Sequence, residues 1–172
     1  KKSKITLLKK DKILCAKFRK GHFEGVLDVM NKLTKIVKPK RIFMGEKDFQ
    51  QLYLVKKELG KKYKTKVVPC KTVRDRNNVA LSSRNLLLNK SSLIIAAKIY
   101  KKIVDIKKNI KNKKNISSFL NFQKKELKNN YKIKIDYLEL RNINNLKISS
   151  TTKNSRLFIA YHINKVRLID NL

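Results

Sequence analysis

"RIFMGEKDFQQLYLVKKELGKKYKTKVVPC", residues 41–70, decides the fold. Arg41 to Met44 is a short apolar run of the kind that makes a buried strand, and Gly45 is expected to break it. From Asp48 to about Lys61, Leu52, Val55 and Leu59 fall on one face of a helix. Lys66 to Pro69 is short and apolar again. Strand, helix, strand is the repeating unit of a parallel α/β sheet. Upstream, Phe23, Val26, Leu27, Met30, Leu33 and Val37 have helical spacing and predict one buried stripe, stopped by Pro39. Ile5 to Leu8 predicts a further short strand, followed by a polar connection over residues 10–21.

Beyond Lys71 the pattern changes. Thr72 to Leu88 reads as a long connection. Ser91 is expected to cap a helix through about Lys108. Asn109 to Asn115 reads as a polar loop, and Ile116 to Asn129 as another helix with Ser117 or Ser118 near its cap. Ile133 to Leu140 and Arg156 to Ile163 alternate as half-buried strands do, and Val166 to Ile169 predicts a third. Strands joined by short connections suggest an antiparallel sheet covered by helices. The fold class is therefore α/β over residues 1–73, followed by a small α+β unit over residues 74–172.

The chain has 172 residues, 41% of them hydrophobic, with 4 Gly and 2 Pro. That suffices for a core and disfavours long flexible linkers. The longest apolar run, Leu93 to Ala97, is far short of a membrane span, and the first residues lack the apolar region of a signal peptide. Cys15 and Cys70 have neither metal-ligand nor disulfide spacing. They read as reduced structural thiols, and a cytoplasmic setting fits. The net charge is +33. Lys and Arg neutralise phosphate, so a nucleic-acid-binding module is one reading. However, the lysines spread from end to end beside abundant Asn and Ile, as AT-rich coding DNA produces, and aromatics do not alternate with them as on a stacking platform. Nucleic acid is thus the weaker expectation, although the charge favours acidic ligands.

Two stretches carry chemistry. In open parallel sheets ligands bind beyond the carboxyl ends of the strands, where Gly45, Glu46, Lys47 and Asp48 fall. A helix N-terminus favours anions, so Glu and Asp belong there and Lys does not. A phosphate bound at the free N–H groups would explain Lys47; an exposed first turn with an incidental lysine is the alternative. Gln51, on roughly the face of Asp48, offers an amide to substrate hydroxyls or a carboxylate. Ser82, Ser83 and Arg84 combine two hydroxyls and a guanidinium in an oxyanion clamp; a solvated loop accommodates the same tripeptide. His22 reads as a packed or capping residue, and His162 has no catalytic case.

Four segments together say more: "GHFEGVLDVMNKL" at 21–33, "GEKDFQQL" at 45–52, "TVRDRNNVALSSRN" at 72–85 and "VRLIDN" at 166–171. In this order and at these separations they resemble the pantothenate synthetases, the AMP-forming pantoate–β-alanine ligases, over essentially the whole chain. The resemblance implies that residues 1–73 are the C-terminal portion of a Rossmann-like nucleotide-binding domain and residues 74–172 a lid. It implies ATP as substrate, Mg²⁺, a pantoyl-adenylate intermediate, and a homodimer at full length. It puts Gly45 to Asp48 on ATP with Lys47 at the phosphates, Gln51 on pantoate, and the Val73 backbone at adenine. Leu81, Ser82, Ser83 and Arg84 match the triphosphate loop, the counterpart of the KMSKS loop of class I aminoacyl-tRNA synthetases.

The sequence departs from that family in three places. The early strand, a pair of histidines that cradle ATP, and a glutamine shared by the two substrates are not in these residues. An incomplete sequence of a whole enzyme is the expectation, with an exposed apolar sheet edge, poor folding or association, and impaired catalysis for the isolated chain. Lys20 stands where many members have proline, and Cys15-Ala16 where many have Glu-Gly. Besides the ligase, a degenerate remnant, a basic nucleic-acid-binding module on the same scaffold, or another nucleotidyl-transferring enzyme would use such residues. Gln51 within GEKDFQQ argues against the last.

Overall fold

The computed structural model describes residues 5–172 and divides into two units, Lys1–Thr72 and Val73–Leu172. In the first, a short helix α1 (Leu14–Phe18) leads to α2 (His22–Val37), β1 (Arg41–Gly45), α3 (Phe49–Tyr63) and β2 (Lys66–Cys70). β1 and β2 pair in parallel, from Arg41↔Lys66 to Gly45↔Cys70. α2 begins after Gly21, whose φ of +75° suits a residue without Cβ. It ends on Lys38 in the left-handed region, just before Pro39. α3 buries Leu52, Leu54, Val55 and Leu59, each stabilising by about 1.5–3 kcal/mol. α2 and α3 are also tied by Tyr63, which donates from its hydroxyl to Asn31 Oδ1 at 2.7 Å.

Three expectations for this unit need correction. Ile5 to Leu8 is not a strand. The carbonyl of Leu8 accepts from the Asp11 N–H in a 3₁₀ turn, Lys9–Asp11. Just beyond it, the Gln50 side chain of α3 takes the carbonyls of Asp11 and Ile13. The predicted polar connection contains α1, which buries Leu14, Cys15 and Ala16. The stripe of α2 is only partly buried: Phe23 and Leu27 are covered, whereas Leu33 is 50% and Val37 65% exposed. Val29 and Ile36 are exposed as well. The apolar arc of α2 is wider than the contact with α3 covers.

The second unit comprises α4 (Lys90–Asn109), α5 (Ile116–Tyr131) and an antiparallel sheet of β3 (Lys134–Asn142), β4 (Ser155–Ile163) and β5 (Val166–Asn171), in the order β3-β4-β5. α4 packs on β4 and α5 on β3. Ala96, Ile99, Ile103 and Ile106 of α4 join Leu120 and Leu127 of α5 and Leu157, Ile159 and Tyr161 of β4 in one core. The expected serine caps are replaced by asparagines. Asn89 accepts from the Ser92 N–H at 2.9 Å, and Asn115 from the Ser118 N–H at 3.0 Å. The predicted polar loop after α4 holds a 3₁₀ turn, Ile110–Asn112, with Ile110 buried.

The expected alternation also fails in part. Leu157 to Tyr161 are buried without interruption, so both faces of β4 are covered. β3 carries a bulge: Ile135 faces Tyr161 and Tyr137 faces Ala160, leaving Asp136 as the extra residue. The core side accordingly switches from Ile133 and Ile135 to Leu138 and Leu140.

Candidate functional site

Gly45 does not break β1; it is its last residue, paired with Cys70. Its backbone, φ −66° and ψ 132°, is extended as any residue allows. A Cβ there would meet nothing within 4 Å, so open space lies over the strand end. Glu46–Asp48 form a 3₁₀ turn with none of the three buried, and α3 starts at Phe49 rather than Asp48. Asp48 is the N-cap yet makes no side-chain cap bond. Lys47, half-buried, is thus carried on a turn beyond the carboxyl ends of two parallel strands, with buried Phe49 anchoring the helix behind it.

The adjacent glutamines differ. Gln50 is 5% exposed, donates to Asp11 O at 3.1 Å and Ile13 O at 2.8 Å, and accepts from the Ala16 N–H at 3.3 Å. Gln51 is half-buried, and among the described residues its amide has no hydrogen-bond partner. A ligand-facing role is therefore open to Gln51 and closed to Gln50.

In the second unit, Val73 and Leu81 are brought together: the exposed Val73 accepts at its carbonyl from the Leu81 N–H at 3.0 Å. Arg74 and Ala80 form an antiparallel bridge inside that pair. Asp75 Oδ1 accepts from the N–H groups of Asn77 and Val79, which turns the chain between them. Ser82 then caps a 3₁₀ turn, Ser83–Leu87, by accepting from the Arg84 N–H at 3.2 Å. Accepting leaves its O–H proton available as a donor. Ser83 is exposed and Arg84 half-buried. Arg84 donates from Nη1 to the carbonyl of Arg167 at 3.4 Å. Two hydroxyls and a guanidinium occupy one turn, as an anion-binding loop requires.

Sequence reasoning missed the polar groups that surround this loop. Arg74 donates to both carboxylate oxygens of Asp170, at 2.7 and 2.8 Å, and its guanidinium lies over the Tyr100 ring, 4.5 Å from the centroid. Burial, then the nearby Asp170 carboxylate, pushes the Tyr161 phenol well above its ordinary value, with Arg74 opposing. At the β3 bulge, Asp136 meets His162 at 3.1 Å and accepts from Arg167 Nε at 2.8 Å. His162 therefore has a structural partner. His22 opens α2, in contact with Arg19 through Nδ1 at 3.1 Å and with the Phe23 ring edge. Cys15 is buried and Cys70 exposed, and neither is in a disulfide. Among the described residues no three His, Cys, Asp or Glu side chains converge on a metal site, and no helix is long and apolar enough to cross a membrane.

Comparison with known proteins bears on these segments. A family model described as Pantoate-beta-alanine ligase matches residues 2–172. The pantothenate synthetase of Flavobacterium psychrophilum is 38% identical over 160 residues, covering 91% of this chain and 56% of that protein. That of Caldicellulosiruptor bescii is 35% identical over 176 residues, covering 99% and 62%. The crystal structure of pantothenate synthetase from Thermus thermophilus matches with a TM-score of 0.87 at 28% identity, covering 97% of this chain and 61% of that one. The pantoate-beta-alanine ligase of Francisella tularensis, solved with beta-gamma ATP and beta-alanine, matches with a TM-score of 0.73 at 35% identity, covering 98% and 56%. The chain thus spans little more than half the length of the relatives it matches.

Proposed function

The chain belongs to the pantoate-β-alanine ligase family, and we propose that the protein carrying it condenses (R)-pantoate with β-alanine, using ATP. In the proposed reaction a pantoate carboxylate oxygen attacks the α-phosphorus of ATP, forming pantoyl adenylate as pyrophosphate leaves. The β-alanine amine then attacks the acyl carbon, and AMP leaves with the carboxyl oxygen. Gly45, Glu46, Lys47 and Asp48 contact ATP. Lys47 stabilises charge building on the phosphates and need not transfer a proton. Gln51 holds pantoate through its unused amide. The Val73 backbone meets adenine, and Leu81, Ser82, Ser83 and Arg84 hold the triphosphate. Residues 1–73 supply part of the nucleotide-binding domain and residues 74–172 the lid. The working protein is a cytoplasmic homodimer in this reading.

One observation carries the proposal: Lys47 on a turn with no buried residue, followed by Gln51, whose amide has no hydrogen-bond partner among the described residues, beyond the ends of two parallel strands. The described residues do not fit a protein-built metal cage. Mg²⁺ enters the proposal on the ATP phosphates, where it supplies charge neutralisation, and no residue is assigned to it.

The test is product analysis with the intact protein, ATP, Mg²⁺, pantoate and β-alanine. AMP is expected only when pantoate is present, and pantothenate only when both are. AMP release indifferent to pantoate, or no AMP from folded protein, would overturn the reading.

A further inference from the structure

The segment "VRLIDN" has no role in the reaction as proposed, yet its strand touches the loop at both ends. At one end Asp170 receives both prongs of the Arg74 guanidinium, 96 residues away in sequence. At the other, the carbonyl of Arg167 receives Arg84. The Arg74–Asp170 pair is largely removed from water, with side-chain exposures of 16% and 11%. A buried ion pair is a poor source of net stability, because desolvation consumes most of the attraction. A forked pair nevertheless fixes direction as well as distance. Here Tyr100 also supports the guanidinium from its face, and a third bond runs from Arg74 Nη1 to the Asn78 carbonyl at 3.0 Å.

What this pair fixes is the exit point of the loop. Arg74 is bridged to Ala80. Ala80 accepts at its carbonyl from Asn85 Nδ2 at 3.1 Å, and the Leu81 N–H is held by Val73. The segment from Leu81 to Arg84 therefore leaves and rejoins a frame anchored on Asp170. The Asn85 Oδ1 within that frame is buried with no partner in the structure.

We propose that Asp170 is a positioning residue: by holding Arg74 it presets the Leu81–Arg84 segment for an incoming triphosphate. The inference rests on the reading of that segment as the ATP loop. Asp170 acts through Arg74 and does not itself touch nucleotide.

The test uses the intact protein, with steady-state kinetics and thermal unfolding measured side by side. Asp170→Asn is expected to raise KM for ATP about tenfold or more while leaving KM for β-alanine within about twofold. That variant leaves Arg74 without its counter-charge and could fold poorly. The paired variant Arg74→Met/Asp170→Leu removes the ion pair without stranding a charge. It is expected to melt near the wild type and to show the same rise in KM for ATP. Unchanged KM for ATP in the paired variant, with any loss confined to Tm or to the amount of active enzyme, would overturn the inference. A wild-type protein that consumes no ATP in the presence of pantoate would instead overturn the ligase reading, and this inference would fall with it.

Discussion

The side-chain amide of Gln50 donates to the carbonyl of Ile13 at 2.8 Å, closing a contact between segments 37 residues apart. Gln50 also serves Asp11 and Ala16, so one buried side chain satisfies three backbone groups. Gln50→Ala is expected to destabilise the first unit by about 2–4 kcal/mol, because those groups lose their partner away from water. Gln51→Ala should change stability by less than about 0.5 kcal/mol and weaken pantoate binding. Denaturant unfolding and pantoate KM, measured on both variants, separate the two roles. Equal effects on stability would refute the division.

Lys47 sits on the turn between β1 and α3 and is not part of the buried core of either. Lys47→Ala should slow adenylation by about 10²–10³-fold while Tm stays within a few degrees. Rapid-quench measurement of pantoate-dependent pyrophosphate release is the readout. Near wild-type rates in a folded variant would remove Lys47 from the mechanism.

Three helices end on a lysine in the left-handed region: Lys38 at φ 49°, Lys64 at φ 51° and Lys132 at φ 51°. Glycine adopts that conformation without the Cβ penalty and is the usual residue there. Lys132→Gly, at the exposed end of α5, should stabilise the second unit by about 0.5–1 kcal/mol. A lowered urea midpoint would count against the cap argument.

The buried Tyr161 phenol holds its proton to higher pH than a free tyrosine does, chiefly through burial. Above about pH 10 the unfolded chain releases this proton while the folded chain keeps it. Stability therefore falls as pH rises through that range, by up to about 1.4 kcal/mol per pH unit for this group. Urea midpoints at pH 9 and 11 should fall further in the wild type than in Tyr161→Phe. Identical pH dependence would show that Tyr161 does not contribute.

Much of this was legible in the sequence, for identifiable reasons. Leu52, Val55 and Leu59 signalled α3 because helical spacing survives in a single sequence. Gly45 to Gln51 and Leu81 to Arg84 could be singled out as candidate segments because each is contiguous. The caps were not. Asn89 and Asn115 lie close before Ser91 and Ser117, and both residue types cap well, so local chemistry alone leaves the choice open. α1, with 5 residues, is too short to show a period. Ile5 to Leu8 satisfied the pattern of a strand, but the Leu8 carbonyl is taken by the Asp11 N–H of the 3₁₀ turn that follows. The Arg74–Asp170 pair joins positions so distant that only the folded sheet reveals it.

The bulge at Asp136 acts as a phase shifter. Upstream of it odd-numbered residues of β3 face the helices; downstream, even-numbered ones do. Because Asp136 is the residue left over, Ile135 and Leu138 share the core face although an odd number of positions separates them. Removing it would restore a regular ladder with the same partners and leave Leu138 and Leu140 on the core side. The loss would fall instead on His162 and Arg167, which its carboxylate holds, so the irregularity that shifts the phase of the strand also supplies the acid that ties β3 to its neighbours.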